Sequence, residues 1–80
     1  PLPAGATGQS RPKLSTGEAE ALTLYVSGLS TAEVATRMNV QYETAKTYLR
    51  RVREKYAKSG RPASKKSELI RRAAEDGYLR

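Results

Sequence analysis

Between Lys46 and Lys66 the sequence places nine Lys or Arg residues against one acid, Glu54. The chemistry open to such a run is neutralisation of a polyanion, because Lys and Arg donate to phosphate oxygens and to the O6 and N7 edge of guanine. The charge is lopsided. Residues 1–40 carry three basic and three acidic side chains, whereas residues 41–80 carry twelve and five, so the whole net charge of +7 lies in the second half. A one-sided basic cluster on a small domain is the footprint of a nucleic-acid partner. The competing reading is a solvated face that only keeps the protein soluble. A membrane surface ranks lower, since the apolar residues are needed for a core.

Other chemistry is narrowed by what is missing. The chain has no His and no Cys, so the commonest general base, thiol nucleophile and zinc ligands are absent. No Gly-rich phosphate loop is present. The sequence therefore predicts no catalytic residue, no metal site and no cofactor, and it does not read as an enzyme. Glu18 and Glu33 read as helix-capping acids. Of the five tyrosines, Tyr25, Tyr48 and Tyr56 fall on core-facing stripes, which favours packing over base stacking, and Tyr42 is free to touch a nucleic-acid backbone.

Eighty residues allow one domain at most. Residues 1–13, rich in Pro, Gly and small polar types, read as a disordered linker, and residues 14–80 as the domain. With no initiator Met, the sequence reads as a piece of a longer protein. Four helices are predicted, which makes the fold class all-α and compact, with a helix-turn-helix inside it. The first, over 16–27, opens with the Ser15/Glu18 capping-box spacing and carries Leu22, Tyr25, Val26 and Leu29. The second, over 31–38, opens with Ser30/Glu33, buries Val34, Ala35 and Met38, and stops at Asn39. The third, over 42–57, carries Ala45, Leu49, Val52 and Tyr56 as an apolar stripe. Ser59, Gly60 and Pro62 break the chain before a fourth helix, capped at or near Ser64, whose apolar side is Leu69, Ile70, Ala73 and Ala74.

Helices two and three, short then long and separated by Asn39, Val40 and Gln41, form the helix-turn-helix arrangement. In that arrangement the second helix protrudes into the major groove of double-stranded DNA. Lys46, Thr47 and Arg50 project from its outward face and are the candidate base-reading residues. Tyr42, Arg51, Lys58, Arg61, Lys65 and Lys66 are candidate phosphate-binding residues, as is Thr44 in the first turn.

The sequence resembles the LuxR-type (NarL/FixJ-type) helix-turn-helix domain. The likeness runs from Leu14 to Leu79. It is carried by Leu14-Ser15-Thr16-Gly17-Glu18, by Gly28-Leu29-Ser30-Thr31-Ala32-Glu33-Val34-Ala35, by Thr44-Ala45-Lys46-Thr47-Tyr48-Leu49, by Arg61, and by the run from Ala74 to Tyr78. Gln41 stands where the family prefers Ser, Thr31-Ala32 where it often has Asn-Lys, Ala45 where it has Val, and Tyr48 where it has His. The resemblance implies that Lys46, Thr47 and Arg50 hold the base-reading positions and that Thr44 touches phosphate. It implies that the fourth helix is a homodimer surface, with Leu69, Arg72 and Ala73 as its patch. It also implies an upstream receiver domain, so that the chain would be the output domain of a two-component response regulator acting on RNA polymerase. A cytoplasmic location with no membrane association follows as an expectation. The alternatives are a sigma-factor-like promoter-reading region and a basic protein-interaction module. The fourth helix argues against the sigma-like reading.

Overall fold

Ser15 sets the entry to the first helix. Its backbone is extended and its Oγ accepts from the Glu18 amide at 3.2 Å, while the Glu18 carboxylate accepts from the Ser15 amide at 2.9 Å. Two amides that the helix cannot satisfy internally are thereby paired. The same reciprocal box, at 3.2 and 2.8 Å, opens the second helix between Ser30 and Glu33. Replacing Ser15 by Ala is expected to cost about 1 kcal/mol. A urea titration checks this, with the midpoint moving down and the slope unchanged.

The computed structural model describes residues 12–79, and most of the expected linker therefore lies outside the described residues. The elements are α1 (Thr16–Val26), α2 (Thr31–Met38), α3 (Tyr42–Lys58) and α4 (Lys66–Glu75). No strand occurs among the described residues. The fold class is the one read from the sequence, and helix ends differ from that reading by about a residue. Asn39 ends α2 in the left-handed region at φ 58° and ψ 45°, with the Val40 amide reaching back to Ala35 O at 3.0 Å. Asn tolerates that conformation better than other non-glycine residues. Gly77 ends α4 at φ 87°, where the Tyr78 amide bonds Ala73 O at 2.8 Å.

α4 starts near Ser64, but the cap is not supplied by the flanking side chain. The residue flanking it is Lys65, whose side chain has no acceptor. Glu68 does the capping instead, accepting from the amides of Ser64 and Lys65 at 3.1 and 3.2 Å and from the Ser64 hydroxyl at 3.2 Å.

Two apolar clusters hold the helices together. One joins Leu22, Val26, Val52, Tyr56, Ala63, Leu69 and Ala73, and the other joins Ala21, Val34, Ala35, Ala45 and Leu49. The stripe on α3 spans both, so α3 is fixed along most of its length with its opposite face left outward. Leu69 and Ala73 are fully buried in the first cluster. That corrects their assignment to a dimer patch, because their side chains are already covered by α1 and α3 of the same chain. Arg72 is half-buried and pairs with Glu75 at 3.5 Å one turn along.

Candidate nucleic-acid interface

The turn between α2 and α3 occupies residues 39–41, as the sequence predicts. Gln41 is extended and offers no side-chain cap, so the amides of the first turn of α3 have no side-chain partner there. Along α3, burial of Ala45, Leu49 and Val52 dictates what points outward. Thr44, Lys46, Arg50, Arg51 and Lys58 are exposed, Thr47 is half-buried, and Tyr42 is half-exposed at the start of the helix. Lys46, Thr47 and Arg50 recur at one and three residues, so they share a face over the first half of α3. Arg51 and Lys58, two turns apart, share the flank beside it. Arg50 Nε lies 3.9 Å from Glu54 with both side chains largely exposed, a contact worth little. No ion pair engages Lys46, Arg51, Lys58 or Lys65 among the described residues.

Four of the nine cations between Lys46 and Lys66 turn inward instead. Arg61, expected to clamp phosphate, is 8% exposed. Its Nη1 and Nη2 donate to the two Asp76 carboxylate oxygens at 3.0 and 2.9 Å, and Nη2 also donates to Glu75 at 2.9 Å. The guanidinium also sits 5.4 Å from the centre of the Tyr56 ring. These bonds favour its charged form, above all those to Asp76, and push its pKa up against the cost of burial. The bidentate fork is already filled by a carboxylate, and that corrects the phosphate assignment.

Lys66 was also expected at phosphate. Its Nζ donates to Leu29 O at 3.0 Å and lies 4.2 Å from the centre of the Tyr25 ring. It therefore ties the start of α4 to the turn between α1 and α2. Arg53 lies 5.7 Å from the centre of the same ring. Lys55 pairs with the buried Glu18 carboxylate and also donates to Lys13 O at 3.2 Å. Burial alone would raise the Glu18 pKa. The hydrogen bond from Lys55 and the amide of Ser15 outweigh it, and the net direction is down.

The outward set is thus Lys46, Arg50, Arg51, Lys58 and Lys65, with Thr44, Thr47 and Tyr42 among them. The inward cations could not be told from the outward ones by spacing on α3, because their partners lie on other elements. No helix among the described residues is long and apolar enough to cross a membrane, and no group of metal-ligating side chains is found among them.

No characterised protein and no solved structure gives a significant match to the chain. The profile of the family described as "Sigma-70, region 4" matches residues 12–55, from the approach to α1 through most of α3. It stops short of the α3–α4 loop and of α4. The match covers more than half of the 80 residues and takes in the whole α2–turn–α3 unit. The chain therefore belongs to the Sigma-70, region 4 family and is a DNA-binding helix-turn-helix domain.

Proposed function

We propose that the domain binds double-stranded DNA sequence-specifically to regulate transcription, with α3 in the major groove. The observation that carries this is the outward face of α3, where Lys46 and Arg50 stand exposed on the second helix of the helix-turn-helix. Lys46, Thr47 and Arg50 read bases. Tyr42, Thr44, Arg51, Lys58 and Lys65 hold phosphate and set the register.

The motif run from Leu14 to Tyr78 and the presence of α4 beyond the family match favour a LuxR-type output domain of a response regulator. Its partners are then an upstream receiver domain and RNA polymerase. Pairing of two copies through α4 falls to the half-buried Arg72 and to exposed residues such as Ser67, Arg71 and Ala74, since Leu69 and Ala73 face inward. The family match itself favours a second reading, a promoter-reading region that acts while bound to RNA polymerase.

The test is selection from a random duplex pool by the domain alone and in the presence of RNA polymerase. Enrichment of a sequence by the domain alone supports the regulator. Enrichment only with polymerase supports the second reading, and none in either sinks both. On the enriched duplex, Lys46→Ala and Arg50→Ala are each expected to cost about 1–3 kcal/mol and to relax one position of the sequence. Lys58→Ala is expected to weaken all sequences alike and to lower the salt slope by about one. Arg61→Ala should leave that slope unchanged.

A further inference from the structure

Gly17, in the first turn of α1, lies against Tyr48 of α3. A Cβ placed on Gly17 would fall 2.8 Å from Tyr48 Cζ, 2.9 Å from its Oη and 3.0 Å from Cε1. The tip of the tyrosine ring thus fills the space that any other side chain at position 17 would take. The backbone does not call for glycine, because Gly17 is in a right-handed helix and is absent from the positive-φ residues. Intrinsic propensity favours Ala over Gly in a helix. Space is the remaining physical reason for glycine here.

Tyr48 also lines a surface depression together with Glu43, Thr44, Thr47 and Arg51. Three of those residues belong to the proposed DNA-contacting set. We propose that Gly17 is a notch that parks the Tyr48 ring against α1, at the wall of the depression rather than within it. Gly17 is thereby a positioning residue for DNA reading, an inference that rests on the function proposed above. With a Cβ at position 17 the ring must move, since contacts under 3.0 Å are not tolerated. The tip of a tyrosine moves by turning about its own torsions rather than by displacing backbone. The depression beside Thr44, Thr47 and Arg51 is the open space next to it. A ring standing there occupies volume that the nucleic-acid backbone needs.

The experiment compares the wild type with Gly17→Ala, Tyr48→Leu and the double variant. Leucine lacks the Cε1, Cζ and Oη atoms that meet the new Cβ. Duplex affinity, thermal unfolding and backbone amide chemical shifts are measured for each. Gly17→Ala is expected to melt cooperatively near the wild-type temperature. It should shift the amides of Thr44, Thr47 and Arg51 and lose about tenfold in affinity. Tyr48→Leu should bind nearly as the wild type does, and the double variant should regain the affinity that Gly17→Ala lost.

Wild-type affinity in Gly17→Ala with those amides unmoved overturns the proposal. So does a double variant no better than Gly17→Ala, because the damage then does not pass through the ring. Outright unfolding of Gly17→Ala overturns it as well, since the notch would then hold the fold rather than place a side chain. A wild-type domain that selects no duplex counts against the DNA reading, and the amide shifts then decide the notch by themselves.

Discussion

Leu69→Asp is expected to leave the domain unfolded at room temperature. Leu69 has no exposed surface and packs with Leu22, Val26, Val52, Tyr56, Ala63 and Ala73. Removing a buried leucine side chain costs about 2–5 kcal/mol. An ionised carboxylate at the same place adds several kcal/mol more unless it takes up a proton. Domains have about 5–15 kcal/mol in total, and small ones sit near the bottom of that range. Circular dichroism should show a weak 222 nm signal and no cooperative melt. The milder Leu69→Ala should melt early, yet bind duplex with wild-type affinity under conditions where it is folded. A folded Leu69→Asp with impaired pairing on DNA would restore this residue to a dimer surface.

Asp76→Ala is expected to cost about 3–5 kcal/mol, the usual penalty for removing one member of a buried ion pair. Asp76 is 9% exposed and accepts from Arg61 twice and from the Tyr56 hydroxyl at 2.7 Å. Without it Arg61 loses both hydrogen bonds to Asp76, leaving the bond to the half-exposed Glu75 at 2.9 Å in place, and Tyr56 loses its acceptor. Thermal unfolding measures the loss. Asp76→Asn should lose less, since its side-chain oxygen can still accept. The same cluster shapes the response to alkali. Burial first, then the bond to Asp76, raise the pKa of Tyr56 well above its ordinary value of 10. The folded state therefore retains a proton that the unfolded chain gives up. This contribution is intact below pH 10 and is lost as the pH climbs beyond it. Tyr56→Phe should flatten that alkaline limb, and an unchanged limb would place its origin elsewhere.

What the sequence made legible is what lies within one turn of helix. The Ser15/Glu18 and Ser30/Glu33 boxes are three-residue patterns. The α3 stripe of Ala45, Leu49, Val52 and Tyr56 is a periodicity, and Asn39 is a stop with a conformational reason. The outward face carrying Lys46, Thr47 and Arg50 follows from the buried stripe opposite. The start of α4 was harder to read, because Glu68 caps it from within rather than through a residue of the usual capping type. Leu69 and Ala73 illustrate a deeper limit. Periodicity puts them on the apolar side of a helix, but it does not say whether that side meets its own chain or a second copy. Arg61, Lys55 and Lys66 show the same limit for charge. Their partners are Asp76, Glu18 and the Tyr25 ring with Leu29 O, 15 to 41 residues away, and nothing local distinguishes them from cations that face water. Family placement was ambiguous for a related reason. A helix-turn-helix imposes similar caps, turns and apolar positions on any chain that adopts it, and the likeness to one such family did not separate it from another.

The four inward cations also bear on how the chain can assemble. Glu18 and Lys55 close a loop of 37 residues, whereas Arg61 and Asp76 close one of 15. The entropy of closing a flexible loop grows with the logarithm of its length, so the longer closure costs about 0.8 kcal/mol more. The C-terminal pair can therefore latch α4 to the end of α3 while α1 is still searching for its place. The full burial of Leu69 and Ala73 waits for Leu22 and Val26 to arrive. On loop length alone the Arg61–Asp76 pair closes at the lower entropic cost, and the closure that joins α1 to α3 across 37 residues is the costlier one.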